Sequence, residues 1–241
     1  MKAFLHSLLH EHKRQTLTLL MLSFAASVLF TMDIFSYLSG KDMVTNKLTA
    51  KNGSVILSEP AWDREGQYMA ARSEPGMKIS KDPYAVNDGE IDIYVRLKMT
   101  IELEDFIPKE KNNSYNSTYN YEPETRINAI LDAIKLKSGE PFLDDNRTET
   151  KNDSFYMETE TADGSPVFYF YYIGDNNGDM AVVKPGGATD ALFDDLIIPI
   201  NKKDYYGVFD QKYEIILTAE GIPAANYPDG LKANEAAEEF K

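Results

Sequence analysis

Most hydrolytic and metal chemistry begins at histidine or cysteine, and this sequence holds three of the first and none of the second. His6, His10 and His12 all precede an apolar run, so everything after that run lacks an imidazole. A catalytic zinc centre needs imidazole or thiolate ligands and an open position for water, and no H-E-x-x-H occurs. Ser-His-Asp and Cys-His relays fail for the same want of a base with a suitable pKa. Paired carboxylates could do glycosidase work. With 39 acidic residues, however, such pairs arise by chance and read first as a solvated face. Asp175, Asn177 and Asp179 alternate like the opening ligands of a calcium loop. Gly178 is misplaced for that loop and no glutamate follows at its twelfth position, whereas Asn177-Gly178 suits a tight hairpin turn. These three remain the metal candidates. No catalytic residue and no cofactor are expected.

Trp62 and the Tyr-rich stretch Val167–Ile173 could form a sugar platform, but rings at strand spacing more often pack in a core. Asn52, Asn112, Asn116, Asn146 and Asn152 each head an N-x-S/T sequon, which reads as polar loop or as glycan acceptor depending on the source. The net charge of −14 repels phosphate backbones, so no nucleic-acid partner is expected. Without cysteine there are no disulfide staples. Apolar residues at 43% nevertheless suffice for a packed core.

The elements that carry these residues begin after a distinct leader. Met1–Gln15 ends in Lys13 and Arg14, and Thr16–Met32 is uncharged and apolar, closed by Asp33. A basic region followed by a short apolar run is the layout of a secretory signal. Cleavage is expected between Ser36 and Tyr37, with a retained membrane anchor as the rival outcome. The histidines stay on the cytoplasmic side in either case. Losing Met1–Ser36 removes Lys2, Lys13 and Arg14 against Glu11 and Asp33, leaving the chain one charge more negative.

From Ile91 to Leu103 every odd position is apolar, the period-two pattern of a strand with one face in a core and one face wet. Further strands are expected at Ser54–Ser58, Met180–Val183, Leu196–Ile200 and Tyr213–Ala219. Phe155–Thr161 and Val167–Ile173 read as a hairpin about Asp163-Gly164. Trp62–Gly76 and Glu110–Tyr121 read as loops. Pro123–Lys137 switches to helical period, with Pro123 in its first turn and Gly139 beyond its end. The organisation expected is residues 1–36 as signal or anchor, 37–50 as an extended segment, 51–225 as a β-sandwich and 226–241 as a polar tail. The fold class is all-β, a jelly-roll-like sandwich with one inserted short helix, preceded by an N-terminal signal helix.

Pro75–Arg96 reads PGMKISKDPYAVNDGEIDIYVR. This resembles the pattern of TasA/camelysin-type exported proteins of Gram-positive bacteria, chiefly through Lys81-Asp82-Pro83 and Tyr94-Val95-Arg96. Tyr37–Pro60, Tyr169–Phe193 and Tyr213–Ala224 are similar to other parts of the family. The departures are a long basic region, a cut site without alanine, and the Glu110–Lys137 insertion. The resemblance implies a jelly roll, export through a dedicated signal peptidase, and assembly into biofilm matrix fibres or pilus-like filaments. Proteolysis, described for some members, lacks its metal ligands here.

Three roles follow as expectations. The first is a structural subunit that polymerises by β-strand addition, its freed N-terminal segment the donor through Leu38, Met43, Val44 and Leu48. Its partners would be its own copies, other matrix proteins or polysaccharide. The second is a secreted or anchored module that binds polysaccharide or a host surface. The third is a hydrolase of unfamiliar design.

Overall fold

The alternation at Ile91–Leu103 becomes the central strand of a five-stranded sheet in a computed structural model of the chain. The structure describes residues 45–47, 54–71, 74–104, 122–162, 164–200, 208–209 and 213–240. These lie in one unit of the chain, Gly40–Lys241. The expected signal, its Ser36–Tyr37 cut, Leu38, Met43, Val44 and Leu48 lie outside the described residues, as does the Glu110–Tyr121 loop.

In chain order the strands are β1 (Thr45–Lys47), β2 (Val55–Ser58), β3 (Lys78–Ser80), β4 (Tyr84–Asn87), β5 (Ile93–Leu103), β6 (Ile134–Lys135), β7 (Phe155–Ala162), β8 (Ser165–Tyr172), β9 (Asp195–Ile197) and β10 (Tyr213–Pro223). The large sheet runs β1-β10-β5-β8-β7; β2 pairs with β4, and β9 lies between β3 and β6. Every ladder is antiparallel except β1 against β10. The chain is therefore all-β, with few and short helices: α1 (Gln67–Ala70), α2 (Pro123–Ala133) and 3-10 turns near the C-terminus.

One face of the large sheet builds the main core. Ile93, Val95, Leu97, Met99 and Ile101 pack with Phe168 and Phe170 of β8, Leu217 and Ala219 of β10, and apolar residues of the small sheets and α2. Val95, Leu97 and Met99 are wholly buried, worth about 1.5–3 kcal/mol each in apolar transfer. Phe142 knits the layers together, its ring 5.3 Å from Phe170 and 5.4 Å from Phe193.

The second face is not simply wet. Among the even positions of β5, Tyr94 and Arg96 are buried, Lys98 and Thr100 are half-buried, and Glu102 is exposed. The cover comes from the C-terminal segment, whose Leu231, Ala233, Ala236 and Phe240 close over Tyr94, Tyr171, Met180 and Ile222. We call residues 224–240 the strap. Its polar composition hides four well-placed apolar side chains, carried on the 3-10 turn Ala233–Glu238 and its flanks.

Other expectations shift for local reasons. Trp62–Ala70 is a π turn running into α1 rather than loop. Its first turn is held by Asp82, whose carboxylate accepts the Ala61 N–H at 2.8 Å. Gly66 brings this turn against β3; a Cβ there would lie 2.5 Å from the Ser80 carbonyl oxygen. Helix α2 ends at Ala133, before Lys137, because Ile134 turns extended and pairs with Leu196. The hairpin between β7 and β8 forms as expected, in register from Phe155↔Tyr172 to Ala162↔Ser165. Met180–Val183 forms no strand, for its amides go to different partners: Met180 to Leu231, Ala181 to Tyr172 and Val183 to Ile93. The expected Leu196–Ile200 strand is Asp195–Ile197, and β10 extends beyond Ala219 to Pro223.

Candidate functional site

A sheet with two ends must dispose of two rows of backbone donors and acceptors, and here the two ends differ. At one end β7 carries Glu158, Thr159, Glu160 and Thr161, the last three exposed. Carboxylates on an edge strand discourage pairing with another copy of an acidic chain. At the other end β10 is long and fully paired to β5, from Tyr213↔Leu103 to Pro223↔Ile93. Among the described residues its outer side is met by β1 alone, at Thr45↔Thr218, Asn46↔Ala219 and Lys47↔Glu220. That pairing spans three residues of an eleven-residue strand. Thr45–Lys47 belongs to the segment expected to act as donor.

Beside this edge lies a buried charge cluster that carries the Tyr94-Val95-Arg96 block. The Arg96 Nε donates to the Glu220 carboxylate, and both side chains are almost fully buried. Nη2 donates to the Phe240 carbonyl at 3.2 Å and Nη1 to the Tyr171 hydroxyl at 3.4 Å. The guanidinium also lies 4.6 Å from the Tyr169 ring centre and 4.7 Å from that of Phe240. Stacking and hydrogen bonding together suit a guanidinium removed from water. Tyr227 adds a second tie, donating to Glu239 at 2.7 Å while its ring sits 6.1 Å from Tyr94. Tyr171 is thus fully buried and Tyr169 stacked, so much of the Tyr-rich stretch packs under the strap.

Burial pushes the Tyr171 hydroxyl up to about 12, against a smaller opposing pull from Arg96. Burial, helped by the Glu239 carboxylate, raises Tyr227 to about 12 as well. A phenol whose folded pKa lies above its unfolded value contributes stability that is complete below about pH 10. That contribution is lost as pH rises toward about 12. Denaturation midpoints should therefore stay level up to about pH 10 and then fall, and Tyr171→Phe should make the alkaline fall shallower.

The Lys81-Asp82-Pro83 block forms a second buried cluster. Lys81 Nζ lies 2.9 Å and 3.0 Å from the two Glu59 oxygens, with both side chains about 5% exposed. The ammonium also sits 4.5 Å from the Trp62 ring centre. Asn87, fully buried, donates from its side chain to the Ile91 and Val183 carbonyls at 2.8 Å each. Asn87 ties β4 to the later backbone, and the Lys81–Glu59 pair joins the ends of β2 and β3; the sequence singled out Lys81 and Trp62, but Glu59, Asn87 and the pairing itself were missed. The available signal was opposite charges, Glu59 and Lys81, placed directly after the short apolar strands β2 and β3.

Asp175, Asn177 and Asp179 lie in an exposed turn. Asn177 has φ 54° and Gly178 φ 103°, and the Asp179 N–H returns to the Asn176 carbonyl at 3.2 Å. Two successive positive φ values mark a tight turn, for which Asn-Gly is the preferred pair. Among the described residues no group of three His, Cys, Asp or Glu side chains is arranged to hold a metal. Of the sequons, Asn146 is exposed. The Asn152 amide is used internally, donating to the Ala191 and Leu192 carbonyls at 2.8 and 2.9 Å.

No helix among the described residues is long and apolar enough to cross a membrane. No family model matches this chain, and no curated protein matches it.

Proposed function

We propose that this chain is an extracellular structural subunit of TasA/camelysin type, which assembles into biofilm matrix fibres or pilus-like filaments by β-strand addition. In this reading the sheets form a jelly roll, the leader directs export, and cleavage after Ser36 frees the segment from Tyr37 onward. The observation that carries it is the seating of Thr45–Lys47 on the β10 edge, the one parallel ladder of a sheet whose other ladders are antiparallel. A segment that can seat on its own β10 can seat on that of a neighbour, through backbone bonds that are the same in both cases. The acidic β7 edge would keep growth to one end of the sheet. The reading gives the chain no catalytic role and no cofactor. Its partners are its own copies, with other matrix proteins or polysaccharide at the fibre surface.

Electron microscopy and intact mass of the chain recovered from the cell surface test this. Filaments built from a chain that begins at Tyr37 are expected. A uniform monomer with robust binding on a glycan array would favour a surface binding module instead.

A further inference from the structure

The turn at Asn177-Gly178 touches the strap, and its chemistry reaches further than its conformation. Glycine lacks a Cβ, so its backbone nitrogen is the least hindered nucleophile a following residue can offer to an asparagine side chain. Asn177 and Gly178 are exposed, and a Cβ built on Gly178 meets nothing within 4 Å. Among the described backbone hydrogen bonds none uses the Gly178 N–H as donor. Its carbonyl, in contrast, is engaged: it accepts the strap's Ala233 N–H at 3.0 Å. Asp179 bridges to Lys232, and the Met180 N–H donates to the Leu231 carbonyl at 2.8 Å. Gly178 and Met180, on either side of Asp179, therefore hold the strap through two backbone hydrogen bonds.

We infer that Asn177 is a site of spontaneous deamidation whose product loosens the C-terminal strap. The Gly178 nitrogen bonds to the Asn177 side-chain carbonyl carbon. The carbon–nitrogen bond to the side-chain amide breaks, and ammonia leaves with the proton given up by Gly178. Water then opens the succinimide at either carbonyl, giving aspartate or isoaspartate. Both products carry a new negative charge. Isoaspartate also routes the main chain through the former side chain and lengthens the turn by one methylene. The Gly178 carbonyl then leaves its place opposite Ala233, and the adjoining Asp179 and Met180 pairings shift with it.

The test is to age the purified chain in mildly alkaline buffer, separate the more acidic fraction by ion exchange, and map it by peptide mass and hydrogen exchange. Asn177→Gly is the reference, because it cannot form the ring and tolerates the same positive φ. Conversion at Asn177 is expected, with exchange at Met180 and Ala233 about tenfold faster in the converted fraction, the factor that losing one backbone hydrogen bond produces. An intact Asn177 in a sample whose Asn52-Gly53 has converted overturns the inference. Conversion with exchange rates equal to those of the reference overturns it as well.

Discussion

Removing Tyr37–Ala50 from the exported chain should abolish filaments in electron micrographs while leaving a folded monomer. The deleted segment supplies only three paired residues to the described sheet. The loss in stability should therefore be about 1–3 kcal/mol, a few net backbone hydrogen bonds. The loss in assembly should be complete, because the same residues are the whole of the donor. A synthetic peptide spanning Tyr37–Ala50, added in excess, should cap β10 of the truncated chain and raise its melting temperature with ligand concentration. Filaments of undiminished length from the truncated chain would remove the donor segment from the account.

The second large effect is at Arg96. Arg96→Leu leaves Glu220 buried beside β5 with its main partner gone, which should cost about 3–5 kcal/mol in a denaturation experiment. It also deletes the hydrogen bond to the Phe240 carbonyl and the stacking on Phe240, so the strap should become a site of rapid limited proteolysis. The double variant Arg96→Leu with Glu220→Leu should recover most of the global stability, since no charge is left stranded. It should not recover protection of the strap, because Phe240 still lacks its donor. That split separates the role of the ion pair in the sheet from the role of the guanidinium as a latch.

Period-two patterning revealed β5, the β7–β8 hairpin and the heart of β10, because such strands show their buried face in the order of their own residues. The Asn177-Gly178 turn was legible for a similar reason: residue type and backbone conformation are tied at positive φ. What was not legible depends on distant partners. The even positions of β5 looked wet because their cover, the strap, lies more than a hundred residues away and is mostly polar. Trp62–Ala70 looked like a loop because its first turn is held by Asp82 from a later segment. Helix α2 ended early because a strand partner, Leu196, competes for Ile134. The candidate site divides the same way. A free N-terminal segment could be named from the leader, but its seat on β10 is a pairing that no local pattern encodes.

The absence of cysteine opens strand addition at β10 to a direct measurement. Thr45 and Thr218 stand at the same register position across the β1–β10 ladder, and adjacent strands bring Cα atoms within disulfide range. One population would carry Thr45→Cys and a second Thr218→Cys, so that any disulfide must join two chains. After co-assembly and mild oxidation, strand addition at β10 predicts a cross-linked dimer on a non-reducing gel. It predicts none when Thr45→Cys is mixed instead with Glu160→Cys on the β7 edge. Filaments that form with no Thr45–Thr218 cross-link between chains would contradict strand addition at β10.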